Sequence, residues 1–113
     1  MKQIFPKMIK SLPEADIHFK GIQGWISQSK NHQMVFLEIE PVGKVAEHSH
    51  GAQWGVVLDG EMELTIGDTT KTYYKGDSYY VPDGVIHSAV FKSKTYAIDF
   101  FADKDRYKPK DNI

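Results

Sequence analysis

From Glu61 to Ile66 polar and apolar side chains alternate without a break. Met62, Leu64 and Ile66 fall on one face, Glu61, Glu63 and Thr65 on the other. A period of two marks a half-buried strand, because successive side chains project from opposite faces of the pleat. The same reading, with turns as punctuation, parses most of the chain. Residues 24–29 and 33–40 form strands on either side of Lys30-Asn31-His32. Residues 53–58 are an apolar run closed by Asp59-Gly60, a strong turn signal. Gly67-Asp68 and Lys75-Gly76-Asp77 turn the chain into strands at 71–74 and 78–81. After Pro82-Asp83-Gly84 come strands at 86–91 and 95–101. Short strands at this spacing predict an all-β fold, an antiparallel sandwich or barrel. Nothing after residue 20 has helical periodicity, and no repeat or linker divides the chain. The expectation is one domain over 1–113: an irregular arm at 1–20 that packs or swaps onto a neighbour, a barrel over about 21–102, and a short polar tail.

The strand at 95–101 carries information about assembly. Tyr96, Ile98 and Phe100 point one way, Ala97, Asp99 and Phe101 the other. Both faces hold large apolar groups, so both require cover. A barrel has one interior, and the second face predicts contact with another subunit, hence a homodimer.

Composition narrows the function classes. The 113 residues, 41% of them hydrophobic, suffice for one core. Fourteen basic against fifteen acidic side chains give a net charge of -1, which provides no field for nucleic acid or an anionic membrane. No run approaches the ~18 apolar residues of a spanning helix, and the N-terminal stretch lacks the apolar centre of a signal peptide. A cytoplasmic location is expected. With no cysteine, disulfide scaffolds, thiol catalysis and iron–sulfur clusters are excluded, and soft-metal chemistry falls to the histidines.

There are five: His18, His32, His48, His50 and His87. In a strand, His48 and His50 project from the same face and their imidazoles converge on one point. Such a pair in a β protein can equally be two exposed polar residues. Converging neutral imidazoles suit zinc, nickel, iron, copper or manganese. His32 falls in a turn and reads as a solvated loop residue. His18, beside Phe19, carries no argument either way.

The surroundings of the pair carry a resemblance. Gly43, His48, His50, Gln53 and Gly60 lie in the segment GKVAEHSHGAQWGVVLDG, and Gly76, Pro82, Gly84 and His87 in GDSYYVPDGVIHSAVF. These two blocks resemble the paired motifs of the cupin superfamily, small jelly-roll β-barrels. The loop after His50 is a residue shorter than in the family pattern, Gln53 stands where the family has Glu, and Phe91 replaces the final Asn. The resemblance implies a divalent metal (Zn, Ni, Mn or Fe) held by His48, His50 and His87, with Gln53 as a weaker fourth ligand. An amide adds no charge, so the metal's +2 stays uncompensated and favours an anionic ligand such as a carboxylate or enediolate.

Asp99 lies in the otherwise apolar IDFF, where a buried carboxylate is costly without a partner. It is either an edge-strand Asp paired with Lys or Arg, or a general base inside the barrel. Arg106, the only arginine, either clamps a substrate carboxylate or pairs with Asp103 or Asp105. The chain is similar to the small cupins of pectin and alginate breakdown, which share three His plus Gln, Asp and Phe on the last strand, and an Arg soon after. That likeness implies Asp99 and Arg106 as catalytic groups and Phe101 as a substrate contact. Trp25, Trp54, Tyr73, Tyr74, Tyr79 and Tyr80 either stack on a sugar or belong to core and interface, and alternation aims Trp54 away from the metal. Three functions stand at this point. One is a Lewis-acid isomerase, tautomerase or lyase acting on a small sugar-acid-like anion, most sharply the ring opening of an unsaturated uronate. The others are a dioxygenase and a non-catalytic small-molecule-binding barrel.

Overall fold

A computed structural model describes residues 3–110. Among them are nine strands: β1 (Ile22–Gln28), β2 (Gln33–Ile39), β3 (Gly43–His48), β4 (Gln53–Asp59), β5 (Glu61–Ile66), β6 (Thr69–Tyr74), β7 (Ser78–Val81), β8 (His87–Phe91) and β9 (Thr95–Phe101). They form two antiparallel sheets, ordered β1-β2-β9-β4-β7 and β3-β8-β5-β6. These are the antiparallel sheets that the alternation predicts, arranged as the jelly roll that the resemblance implies. Strands β5, β7 and β9 have the expected bounds, and most others differ by a residue or two. Strand β3 has no counterpart in the hydrophobic pattern. Its side chains are mostly exposed or half-exposed, so no alternation marks it.

Register fixes what meets inside. Across the five-stranded sheet Gln33, Phe101, Gln53 and Val81 form one row, and Val35, Asp99, Gly55 and Tyr79 the next. Both rows face inward, with Gln33, Val35 and Val81 within 1% of complete burial. Met62 and Leu64 close the core from the opposite sheet. The turn from β4 to β5 requires Gly60, whose φ is +86° and where a Cβ would run into the Lys94 carbonyl.

The N-terminal stretch is more ordered than the expected irregular arm. Residues Lys7–Lys10 form α1, one helical turn entered through Pro6. Proline suits a helix start because the first N–H groups have no intrahelical partner. The arm packs on its own chain. Phe5, 3% exposed, meets Trp25, Phe36 and Tyr96 edge-on, with ring centroids 5.7–6.3 Å apart. The Ala15 N–H donates to the Gly24 carbonyl on β1, and the Asp16 N–H to the Lys108 carbonyl of the tail, each at 2.8 Å. The outer face at Tyr96, expected to be covered by a second subunit, is therefore covered by the chain's own arm. Trp54 and Tyr80 lie outside this cluster and are about half exposed. Among the described residues no helix is long and apolar enough to cross a membrane.

Candidate metal centre

Three loops and strand ends bring the histidines together. His48 closes β3 and pairs directly with His87, the first residue of β8, after an irregularity in register beyond Val45. His50 lies outside the strand, which corrects the same-face argument for the pair. Hydrogen bonds hold it instead: its carbonyl accepts the Gly84 N–H at 2.9 Å, and the next residue, Gly51, donates its N–H to Asp103 Oδ2 at 2.8 Å. The two motif blocks thus meet through the backbone at His50 and Gly84. One potential ligand atom from each of His48, His50 and His87 lies within 4.8 Å of the others.

The tautomers follow from the backbone. His48 Nδ1 lies 2.8 Å from the Ala46 carbonyl, His50 Nδ1 2.8 Å from that of Gly51, and His87 Nδ1 2.9 Å from that of Val85. A carbonyl only accepts, so each Nδ1 carries the proton and each Nε2 keeps its lone pair. His50 Nε2 and His87 Nε2 are 3.1 Å apart. Two lone pairs at that distance repel unless a cation lies between them, and imidazole nitrogens about 2.1 Å from one ion stand roughly this far apart. Burial lowers the pKa of all three, His50 to about 4, and the charge of Arg106 adds to the effect. Neutral imidazoles are the metal-ligating form.

Gln53 points inward from β4, and its Oε1 is buried with no hydrogen-bond partner. An orphan amide oxygen on a residue that lines the same cavity as three imidazoles with Nε2 lone pairs fits a cation; the residues present are compatible with the implied metal. Asp99 is 6% exposed on β9, and the Tyr79 hydroxyl donates to its Oδ1 at 2.6 Å. Desolvation raises its pKa to about 6, against the opposing effect of hydrogen bonds from Tyr79 and Gln53 and the charge of Arg106. Asp99 is thus the inward carboxylate, not an edge residue in an ion pair. Phe101 sets its ring edge-on to His50, with centroids 5.4 Å apart.

Arg106 stacks over the Tyr107 ring at 4.2 Å and lies 5.6 Å from the Phe101 centroid. Its Nε is buried without a hydrogen-bond partner. Among the described residues no carboxylate pairs with it; Asp103, a partner considered from sequence, accepts the Gly51 N–H. Histidines, Gln53, Asp99, Phe101 and Arg106 all border one cavity of about 70 Å³. His32 and His18 lie apart. His32 stacks on Phe100 at 4.6 Å rather than standing free in solvent, and exposed His18 meets Asp16 at 3.1 Å. The residue that sequence reasoning passed over is Tyr79, grouped there with ordinary core aromatics. Its inward phase on β7, opposite Gly55, is the signal that could have found it.

Comparisons with known proteins agree with the fold. The family model described as a cupin domain matches residues 35–101. An RmlC-like cupin from Shewanella frigidimarina is similar in structure at 24% identity, covering 81% of this chain and 84% of that one, with a TM-score of 0.73. KdgF from Halomonas sp. is similar at 20% identity, covering 87% of each chain, with a TM-score of 0.69. A variant oxalate decarboxylase from Bacillus subtilis is similar at 21% identity over 85% of this chain but 28% of its own, with a TM-score of 0.72. No curated protein matches the sequence. The matched segment carries both motif blocks and all three clustered histidines, and the chain belongs to the cupin family.

Proposed function

We propose that the chain is a metal-dependent enzyme that moves a proton on a small oxygenated anion. The observation that supports this most directly is the set of three Nδ1–H bonds to backbone carbonyls, which leaves three Nε2 lone pairs for one ion. Gln53 Oε1 would complete the ligand set. A divalent metal bound there supplies Lewis acidity, drawing electron density from a substrate carbonyl or hydroxyl oxygen. Arg106, stacked but unpaired, binds the substrate carboxylate through its guanidinium. Phe101 walls the cavity beside it. Asp99 takes the proton from carbon next to the polarised carbonyl, and the C–H electron pair moves into the enolate. Returning that proton at the other end of the enolate completes a tautomerisation with no net change of atoms.

The substrate class is a small anion because the ligand set carries no charge of its own and Arg106 adds another positive one. One structural neighbour is named for a small dianion, oxalate. The sharpest version is the ring opening and tautomerisation of an unsaturated uronate, the reaction implied by the resemblance of the motif residues. The test is to load the purified chain with metal, add that monomer and follow its ultraviolet absorbance. Metal-dependent loss of absorbance supports the reading. No acceleration with metal confirmed present removes the uronate version, and oxygen uptake by an iron-loaded chain would favour a dioxygenase.

A further inference from the structure

Tyr79 and Asp99 are contributed by β7 and β9, which lie on opposite sides of β4. Strands so placed are about 9.6 Å apart, because each spacing is about 4.8 Å. Side chains on them meet only where the strand between leaves room. Here it does: Gly55 is the register partner of both Asp99 and Tyr79. A Cβ at Gly55 would lie 2.1 Å from Asp99 Oδ1 and 2.4 Å from the Tyr79 hydroxyl. The missing side chain is the space in which the 2.6 Å hydrogen bond forms. Two residues earlier on the same strand, and so on the same face, stands Gln53, which borders the same cavity as Asp99 and whose amide acts to lower the Asp99 pKa, as a donor to that carboxylate does. An amide that gives its N–H to a carboxylate turns its oxygen the other way, and that oxygen is the buried, unpartnered Oε1.

We infer that Tyr79 is a positioning residue, which pins Asp99 across Gly55 so that Asp99 in turn holds Gln53 with Oε1 toward the three histidines. The inference rests on the metal reading above and adds to it an ordered chain of contacts, Tyr79 to Asp99 to Gln53. The phenol donates its hydrogen bond to Asp99 and, among the described residues, makes none to a histidine or to Gln53. It acts by fixing which way the carboxylate, and hence the amide, can point. Asp99 then has a second duty besides taking a proton, since it sets the orientation of a ligand. Outer contacts of this type change metal affinity by about tenfold or more when removed.

Cobalt(II) titrated into the full chain at neutral pH, followed by its visible absorption, reads affinity and ligand set together. Gln53→Ala is expected to weaken binding about tenfold and to alter the absorption band. Tyr79→Phe, which keeps the ring and removes one O–H, is expected to produce the same loss and the same band. The double variant is expected to bind no more weakly than Gln53→Ala alone, because both changes break one chain of contacts. Tyr80→Phe, on the outward neighbour, should leave cobalt binding unaltered. Gly55→Ala is an independent probe and should reproduce the Tyr79→Phe loss. Affinity within twofold of the unaltered chain and an unchanged band in Tyr79→Phe would overturn the inference. So would losses that add in the double variant, a shift a merely structural role would give. If the unaltered chain binds no cobalt, the metal reading itself falls.

Discussion

Acid competes with a metal for imidazole, and the structure sets how strongly. An ordinary histidine of pKa about 6.5 is only about 3% neutral at pH 5, so three of them lower the apparent affinity for a metal about 3 × 10⁴-fold relative to pH 8. In this protein burial depresses all three, and His50 to about 4. A group of pKa about 4 is still about nine-tenths neutral at pH 5, so His50 contributes almost nothing to the loss. The remaining two, even at ordinary basicity, limit it to about 10³-fold, and their own depression makes it smaller. Zinc or cobalt titrations at pH 8, 7, 6 and 5 in non-coordinating buffers measure this directly. Below pH 6 the logarithm of affinity should change by fewer than two units per pH unit. A slope of three would mean that the imidazoles are solvated like free ones and would refute the burial argument. The same depression has a sign for stability. Between pH 6.5 and the lower folded values the unfolded chain binds more protons, so the metal-free protein loses stability as pH falls.

Single substitutions separate the remaining roles. His50→Ala should abolish metal binding, whereas His32→Ala, on the outer face, should retain it in full; equilibrium dialysis with metal analysis distinguishes them. Asp99→Asn removes a buried charge whose pKa is raised to about 6. It should stop proton transfer and remove a charge that costs up to about 3 kcal/mol at pH 7, against a loss of about 1–3 kcal/mol for a buried donor left without its acceptor. The variant should therefore compare more favourably with the unaltered chain at pH 7 than near pH 4, where Asp99 is protonated when folded. Denaturant midpoints at the two pH values give the comparison. Arg106→Met should leave metal affinity intact and weaken binding of a substrate carboxylate by roughly 10- to 100-fold, the worth of a charged hydrogen-bond partner; calorimetry on the metal-loaded chain reports it. Phe5→Ala vacates the pocket between Trp25, Phe36 and Tyr96 and should cost about 3–5 kcal/mol. A thermal scan would then fall by roughly 10–20 °C, and an unchanged midpoint would mean that the arm does not dock as described.

Much of this molecule can be read from its residues. The alternation at Met62, Leu64 and Ile66 and the Asp59-Gly60 turn are local signals, and β5 and its turn appear where they predict. The pair His48 and His50 could be singled out by spacing, and His87 through the resemblance of the two motif blocks to the family pattern. The reason for their convergence could not, since it lies in the Gly84 N–H donated to the His50 carbonyl and the Gly51 N–H donated to the Asp103 carboxylate, partners distant in sequence. Strand β3 was invisible because its side chains are largely solvated and no alternation is imposed on it. The docking of the arm on its own chain leaves no mark in the pattern, because its anchor is one phenylalanine held by three aromatic rings from β1, β2 and β9. Tyr79 was hidden for a related reason. A tyrosine on a strand reads as core until the register sets a glycine between it and a carboxylate.

The place of β9 also bears on the order in which the chain folds. It is the ninth strand in sequence yet lies in the middle of its sheet, between β2 and β4. Both neighbours pair with it along nearly their whole length. Until it inserts, β2 and β4 each present an open edge, and the two halves of the sheet have no strand in common. Pairing at such sequence separation is slow, so this insertion should be the rate-setting event of folding. It is also the event that buries Asp99. A chain stalled before it would expose two adhesive edges, which makes the interval before β9 docks the period in which this protein is most prone to aggregate.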